Sequence, residues 1–439
     1  MRVGRCWPAL VASVLLLVGS RVPAEVSSDQ PAAIVVFPKL VVDSINHIDT
    51  LIRLTNTSTS PLMLHCFFVD ATPRCVNGPG NCAARVGQDG RCEGDCVEDH
   101  WSETDFRIIL TGRQPIGWRI SQGMRDCRVT ADPDQPCFQL DGVTRRGPNG
   151  QSNQGSNILP VPHDEFVGYL QCIAVDEFGP VERNDIAGEA LIVKDQTQGL
   201  GGGPEGPDVD GYNAVGLKSI VGTQTTRDLT LCLGGCTPGQ CRGQHNRSCF
   251  SDGDCADGDS CSVQCQPNDN CPNGAEYDGC ANILLLDHFF DGARDPIDQG
   301  DIVTDLTLVP CSQDYLRQAP KPVTVQFLVI NELEQRFSTS KSVTCFKDIQ
   351  LSNIDTEFNA NSIFSAAVNG TLTGQTRIRG VATDDPNHGD ALMGIAREFR
   401  CFGTGATDCG THILGTAAMN LHSQGRRPQA DLIFLPPEN

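Results

Sequence analysis

The chain has 439 residues, and its 54 acidic against 33 basic side chains give a formal charge of −21. A field of that sign repels phosphate backbones and argues against a nucleic-acid partner. Its length is too great for one small stapled domain, so two or three units are expected.

The first residues read MRVGRCWPALVASVLLLVGSRVPAEV. Arg2 and Arg5 form a positive start, Ala9 to Gly19 an apolar stretch, and Val22-Pro23-Ala24 a small-residue cleavage site, so residues 1–24 are expected to be an export signal. The apolar stretch reaches roughly 16 Å as a helix, about half of a ~30 Å hydrocarbon core. No other run approaches the length of a membrane-spanning helix, so no transmembrane segment is expected. Cleavage would remove Arg2, Arg5 and Arg21 and no acid. It would also remove Cys6 from a total of 22 cysteines, leaving an odd number. Export with so many cysteines predicts disulfides in an oxidising, secreted, cell-surface or periplasmic setting. The odd count leaves one thiol over, with an intermolecular disulfide as one outlet for it.

Beyond the leader the periodicity is that of strands. Short β-rich runs occur at 49–55 (DTLIRLT), 62–69 (LMLHCFFV), 105–111 (DFRIILT), 166–175 (FVGYLQCIAV), 189–193 (EALIV), 323–331 (VTVQFLVIN), 376–383 (TRIRGVAT) and 430–436 (ADLIFLP). Gly, Pro, Asn and Asp clusters separate them, and no amphipathic helix of twelve or more residues stands out. The expected fold is all-β: two antiparallel β-sandwich-like domains, 25–231 and 281–439. A disulfide-rich, loop-dominated insertion, 232–280, is expected between them.

Two stretches also align internally. FVGYLQCIAVDEFGPVERNDIAGEALIV (166–193) lies over LTGQTRIRGVATDDPNHGDALMGIAREF (372–399), matching Gly168 with Gly374 and Gly188-Glu189-Ala190 with Gly394-Ile395-Ala396. Upstream, 49–71 and 304–332 share strand character and order, which together suggest an internal repeat. In that arrangement Gly199 to Gly206 (GLGGGPEG) reads as an inserted flexible loop.

The cysteines fall into an early group (Cys66 to Cys172), a middle group (Cys232 to Cys280) and a late group (Cys311, Cys345, Cys401, Cys409). Nine of them crowd into the middle segment, so pairing within segments would leave the odd thiol there. That segment has almost no aliphatic residues and needs crosslinks to hold any shape.

The F-P of Phe37-Pro38, the strand and turn DTLIRLTNTS (49–58) and the later F-x-G-Y at Phe166–Tyr169 resemble a group of uncharacterised secreted bacterial β-sandwich proteins. The resemblance covers most of residues 34–220 and implies no activity or site. Within the middle segment, DGDCADGD resembles the calcium-holding acidic turn of LDL-receptor class A repeats. It departs from them in having Ser251 where a cysteine belongs, and in lacking the final Ser-Asp-Glu.

Cysteine spacing argues against zinc. Neighbouring pairs such as Cys92–Cys96, Cys232–Cys236 and Cys261–Cys265 are wider than the C-x2-C knuckle that aims two sulfurs at one ion. Cys249, Cys255 and Cys261 are therefore expected to be disulfide halves. Asp252, Asp254, Asp257 and Asp259 are expected to be turn formers, with calcium the rival reading.

Hydrolase signatures such as G-x-S-x-G and H-E-x-x-H are absent. His163-Asp164-Glu165 and Asp287-His288 put histidine beside acid, but neighbours on a strand face opposite ways, so structural roles are expected. Trp118, in QPIGW, reads as a buried strand-end anchor, and Trp101 with four tyrosines offers few aromatic platforms for sugars. Asn56, Asn246 and Asn369 head N-x-S/T sequons.

No catalytic, cofactor or metal residue is assigned, and no cofactor is expected. The reading favours an exported, surface-associated structural or interaction protein that meets an as yet unspecified protein or surface. The alternatives are a secreted hydrolase with a site assembled from sequence-distant residues, or a calcium- or carbohydrate-binding module.

Overall fold

The computed structural model describes residues 29–80, 90–97, 101–124, 158–195, 207–219, 229–234, 276–295, 299–356, 361–381, 391–401, 413–426 and 430–437. Shorter pieces lie at 82, 139–140, 143–144, 239–243, 248–249, 255 and 259–260. The expected leader, the 199–206 loop and most of the cysteine-rich segment lie outside the described residues.

The all-β expectation holds. Among the described residues the one α-helix is the single turn Ala366–Asn369, opened by a Ser365 hydroxyl that accepts from the Val368 N–H and closed by Gly370 at φ 63°. The strands show two burial habits. Ile34–Val42 (IVVFPKLVV) is buried along its whole length, as suits a strand covered on both faces. Val323–Asn331 (VTVQFLVIN) alternates, with one face on the core and the other toward solvent.

Among the described residues five sheets have three or more strands. The first runs, in spatial order, Val215–Leu217, Ile34–Val42, Phe166–Asp176, Leu62–Asp70, Ser102–Leu110, and the second Asp208–Asn213, Ile186–Lys194, Ile48–Asn56, Pro115–Arg119. The third runs His422–Arg426, Ala281–Phe289, Thr373–Gly380, Val323–Asn331, Arg336–Val343. In the fourth, Ile413–Asn420 and Leu392–Cys401 lead to Asp301–Pro310, which also pairs Lys347–Gln350 and Ala293–Arg294. A fifth, smaller sheet joins Thr230–Gly234, Ala430–Phe434 and Gln313–Asp314, and so takes strands from both sides of the cysteine-rich segment.

Strand order is the same in two places. Taken in chain order, the nine path strands of sheets one and two find the same neighbours as Ala281–Phe289, Asp301–Pro310, Val323–Asn331, Arg336–Val343, Lys347–Gln350, Thr373–Gly380, Leu392–Cys401, Ile413–Asn420 and His422–Arg426 in sheets three and four. Details follow the order. Gly168 stands opposite Asp70, and Gly374 opposite Asn331. A Cβ on Gly168 would sit 2.0 Å from the Val69 carbonyl oxygen, and one on Gly374 3.0 Å from that of Ile330 and 2.5 Å from the Phe290 ring. Asp70 and Asn331 each close the turn after their strand, accepting from the N–H two residues on, at 2.9 and 3.0 Å. Four residues into the pairing, the first set has the Cys66–Cys172 disulfide and the second has Phe327 opposite Ile378.

The expectation of two separate sandwich domains needs correction. The sheets are arranged as a five-bladed propeller, and the apolar interior includes a cluster shared between the two strand sets. One cluster, around Phe37, Leu54, Phe68, Trp118 and Leu170, fills the space between sheets one and two. Another, around Leu286, Leu306, Phe327, Phe364 and Ile378, fills that between sheets three and four. A further cluster packs the other face of sheet one, through Ile34, Phe67 and Tyr169, against Leu231, Tyr277, Tyr315 and Ile433. It takes residues from both ends of the chain, so the two strand sets share this third core besides the one that each encloses.

Disulfides join Cys66–Cys172, Cys75–Cys92, Cys82–Cys96, Cys241–Cys255 and Cys280–Cys311. The last links the middle group to the late one, so pairing is not confined within segments. Cys345, a thiol buried in the shared cluster, lies outside the middle segment. Its burial closes that cysteine to a bond with another chain.

Because Gly168 and Gly374 both meet backbone and buried rings, Gly168→Ala and Gly374→Ala should each destabilise the protein by about 1–3 kcal/mol in denaturant titration. An alanine tolerated at Gly168 would contradict the close strand approach.

Candidate functional site

Pro38 sets up a heavily charged region of the interior. It falls inside an otherwise apolar strand, cannot donate to the ladder, and coincides with a register shift between Phe37 and Leu40 against Phe166–Asp176. The displaced residue, Lys39, is served by one side chain from sheet two. Its N–H donates to the Tyr212 oxygen at 3.2 Å, and the Tyr212 hydroxyl donates to its carbonyl. Burial drives the Tyr212 phenol pKa well up, so it stays a donor.

The bulge sends the Lys39 side chain toward the second strand set. Its ammonium, 3% exposed, reaches Asp348 Oδ2 at 2.5 Å, while Asp348 Oδ1 accepts from the Thr307 hydroxyl at 2.7 Å. Burial raises the Asp348 pKa, but the Lys39 charge and the hydrogen bonds from Lys39 and Thr307 outweigh it and hold the pKa below the ordinary range. Nearby, Arg397 donates to Asp210 Oδ2 from Nε at 2.9 Å and also from Nη2, and its guanidinium lies 4.9 Å over the Phe399 ring. Asp210 is 1% exposed. With Lys39, Asp348 and Arg397 it lines a cavity of about 70 Å³, enough for a few water-sized molecules.

The junction lies where corresponding strands meet. Asn213 ends Asp208–Asn213 and Asn420 ends Ile413–Asn420. The Asn213 N–H donates to Asn420 Oδ1 at 3.1 Å, and the Asn420 amide donates to the Asn213 carbonyl at 2.7 Å. Chemically the junction is a set of matched charges, suited to clamping one strand set on the other. Sequence reasoning missed it. Its only signal is a proline and a lysine interrupting a nine-residue apolar strand, since Thr307, Asp348, Asp210 and Arg397 lie far away in the chain.

The histidines noticed in the sequence are placed apart. His163 Nε2 lies 2.6 Å from Asp70 Oδ2 in a surface groove that also holds Asp49 and Ser121. The Ser121 hydroxyl donates to Asp49 at 2.6 Å rather than to the histidine. The Asp164 carboxylate accepts from the backbone N–H groups of Ser44 and Glu165, and its carbonyl oxygen lies 3.2 Å from His163 Nδ1. Glu165 has its pKa raised, first by burial and then by the nearby Asp43 and Asp164 charges.

His288 is buried, with Nδ1 2.8 Å from the Phe289 carbonyl oxygen and Nε2 2.8 Å from Thr376 Oγ1. A carbonyl only accepts, so Nδ1 carries the proton and Thr376 donates to Nε2. Burial pushes the imidazole pKa down to about 4, and Thr376 is fully buried, so this hydroxyl–histidine pair is closed to substrate. Asp287, its neighbour, instead accepts from Gln375 on the opposite side of the sheet.

Among the described residues two clusters have metal-like spacing, Cys75/Cys82/Cys92 and Cys241/Cys255/Asp259. Their sulfurs are disulfide halves and have no thiolate to offer. Asp259 accepts from the Gly243 and Ser260 N–H groups, as a turn former does. Asp252, Asp254, Asp257 and Cys261 lie outside the described residues. The Asn56 and Asn369 amides are buried and donate to backbone carbonyls, which closes both sequons to modification in the folded protein. Asn246 lies outside the described residues.

Comparison with protein-family models finds no match, and no curated protein matches the chain.

The buried neutral imidazole gives a pH dependence. The unfolded chain takes up a proton near pH 6.5, the folded protein only near pH 4, so this contribution is intact above pH 6.5 and is lost as pH falls toward 4. His288→Gln should reduce proton uptake on unfolding at pH 5 by about one proton, measured from the pH dependence of the denaturation free energy. An unchanged slope would refute the assignment.

Proposed function

We propose that this is an exported, disulfide-stapled structural or interaction protein, built as two copies of one nine-strand unit and released from a leader at residues 1–24. The observation that carries this reading is the junction. The cationic side chains buried there, Lys39 and Arg397, are matched to acids across the two strand sets, which serves cohesion rather than turnover. The shared strand order supports duplication, because nine strands finding the same neighbours by chance would need many independent coincidences. The disulfides support an oxidising compartment. Among the described residues no helix is long and apolar enough to cross a membrane.

The test uses full-length protein secreted into an oxidising compartment. Mass mapping should find Cys66–Cys172 and Cys280–Cys311 bonded. The same protein should leave chromogenic esters, phosphate esters, glycosides and casein unhydrolysed. Turnover abolished by His163→Ala would overturn the reading in favour of a secreted hydrolase.

A further inference from the structure

The two strand sets differ in what covers their outer faces. In the first sheet the face carrying Ile34, Phe67 and Tyr169 is buried under the fifth sheet and its neighbours. The corresponding face of the third sheet is open. There Thr324, Gln326, Arg336, Ser338, Ser340, Ser342 and Arg379 are exposed, while Leu285, Leu328 and Arg377 are half-buried. Register places them in rows. One row reads Ser338, Leu328, Arg377, Leu285, His422, and a second reads Ser340, Gln326, Arg379.

Three features say what this face fits. It is cationic on a chain of charge −21: Arg336, Arg377 and Arg379 make no ion pair among the described residues. Arg377 holds only Gln424, at 2.7 Å from Nη2, and its Nε has no hydrogen-bond partner. One acid, Asp287, stands on the face at the far end of the Arg336, Ile330, Gln375 row, where Gln375 donates to it, and Glu332 beyond the strand end accepts from Thr373. Arg377 and Arg379 project from one strand about 7 Å apart. Second, the face lacks the apolar anchor that protein interfaces centre on, since none of the strongly exposed large hydrophobic residues lies on it. Third, the spaces between the arginines carry hydroxyls and amides, which suit a polyhydroxylated ligand. No tyrosine or tryptophan platform contributes, because all four tyrosines and Trp118 are buried.

The geometry points to the outer face of the third sheet as a docking surface for a carboxylate-bearing polysaccharide, with guanidinium forks on the carboxylates and the Ser and Gln rows on sugar hydroxyls. A second copy is a poor occupant, because face-to-face pairing would set arginine against arginine. This inference rests on the reading of the chain as an interaction protein.

The test is calorimetric titration of the intact secreted protein with polygalacturonate oligomers at low salt, with dextran and poly-glutamate alongside. The protein should bind polygalacturonate, weaken as salt rises, and ignore dextran. The triple variant R336Q/R377Q/R379Q should bind at least tenfold more weakly, and a charge-matched control on the other strand set, R53Q/R74Q/R113Q, within twofold of wild type. If the triple variant does not fold, Arg379→Gln alone, at an exposed position, should still weaken binding at least threefold. Failure of the wild-type protein to bind polygalacturonate, an equal loss in the control, or tighter binding of poly-glutamate would each overturn the assignment. New reducing ends on the polysaccharide would instead overturn the non-enzymatic reading and leave the docking surface standing.

Discussion

Much of this structure depends on one buried ion pair and the backbone irregularity that makes it reachable. Lys39 would not cross to Asp348 if Ile34–Val42 ran as a regular strand. Pro38 interrupts the ladder, and Tyr212 restores the two backbone hydrogen bonds that the interruption leaves open. Burying an ammonium costs several kcal/mol unless a matched acid and further hydrogen bonds accompany it. Asp348, itself held by Thr307, meets that condition, and Arg397 with Asp210 repeats the solution beside it.

The junction gives a physical account of how two strand sets of the same strand order become one body. Apolar packing alone is non-directional and would tolerate sliding of one set over the other. Buried charge pairs penalise any misplacement, because each ion would then lose its partner in a low-dielectric setting. The same asymmetry explains the outer faces. The chain spends its fifth sheet on covering the first set, which leaves the equivalent face of the second set in water, with Arg379 where the first set has the buried Ile173, and Arg377 and Arg336 where it has Gln171 and Glu103.

The strand content was legible in the sequence, because alternation and turn residues act locally. Val323–Asn331 and Leu62–Asp70 match the runs read from the sequence almost to the residue. Gly168 and Gly374, aligned in the sequence, hold like positions in the strand order, and each sits where a side chain would strike the neighbouring strand. Layer arrangement was not legible. Which face of sheet one is covered depends on Leu231, Tyr277, Tyr315 and Ile433, brought together from far apart in the chain. The same is true of the junction, where Lys39 and Asp348 are separated by 309 positions. The Cys280–Cys311 bond crossed a boundary drawn from composition, because composition reports local apolar content and not the path of the chain.

The most direct measurement is a double-mutant cycle on the central pair, from the unfolding free energies of wild type, Lys39→Met, Asp348→Leu and the double variant. Each single change should cost about 3–5 kcal/mol, since it strands the opposite charge in the interior. The double change should cost well under the sum, with a coupling of at least about 1.5 kcal/mol. Additive costs with a coupling near zero would contradict the claim that this pair clamps the two strand sets together.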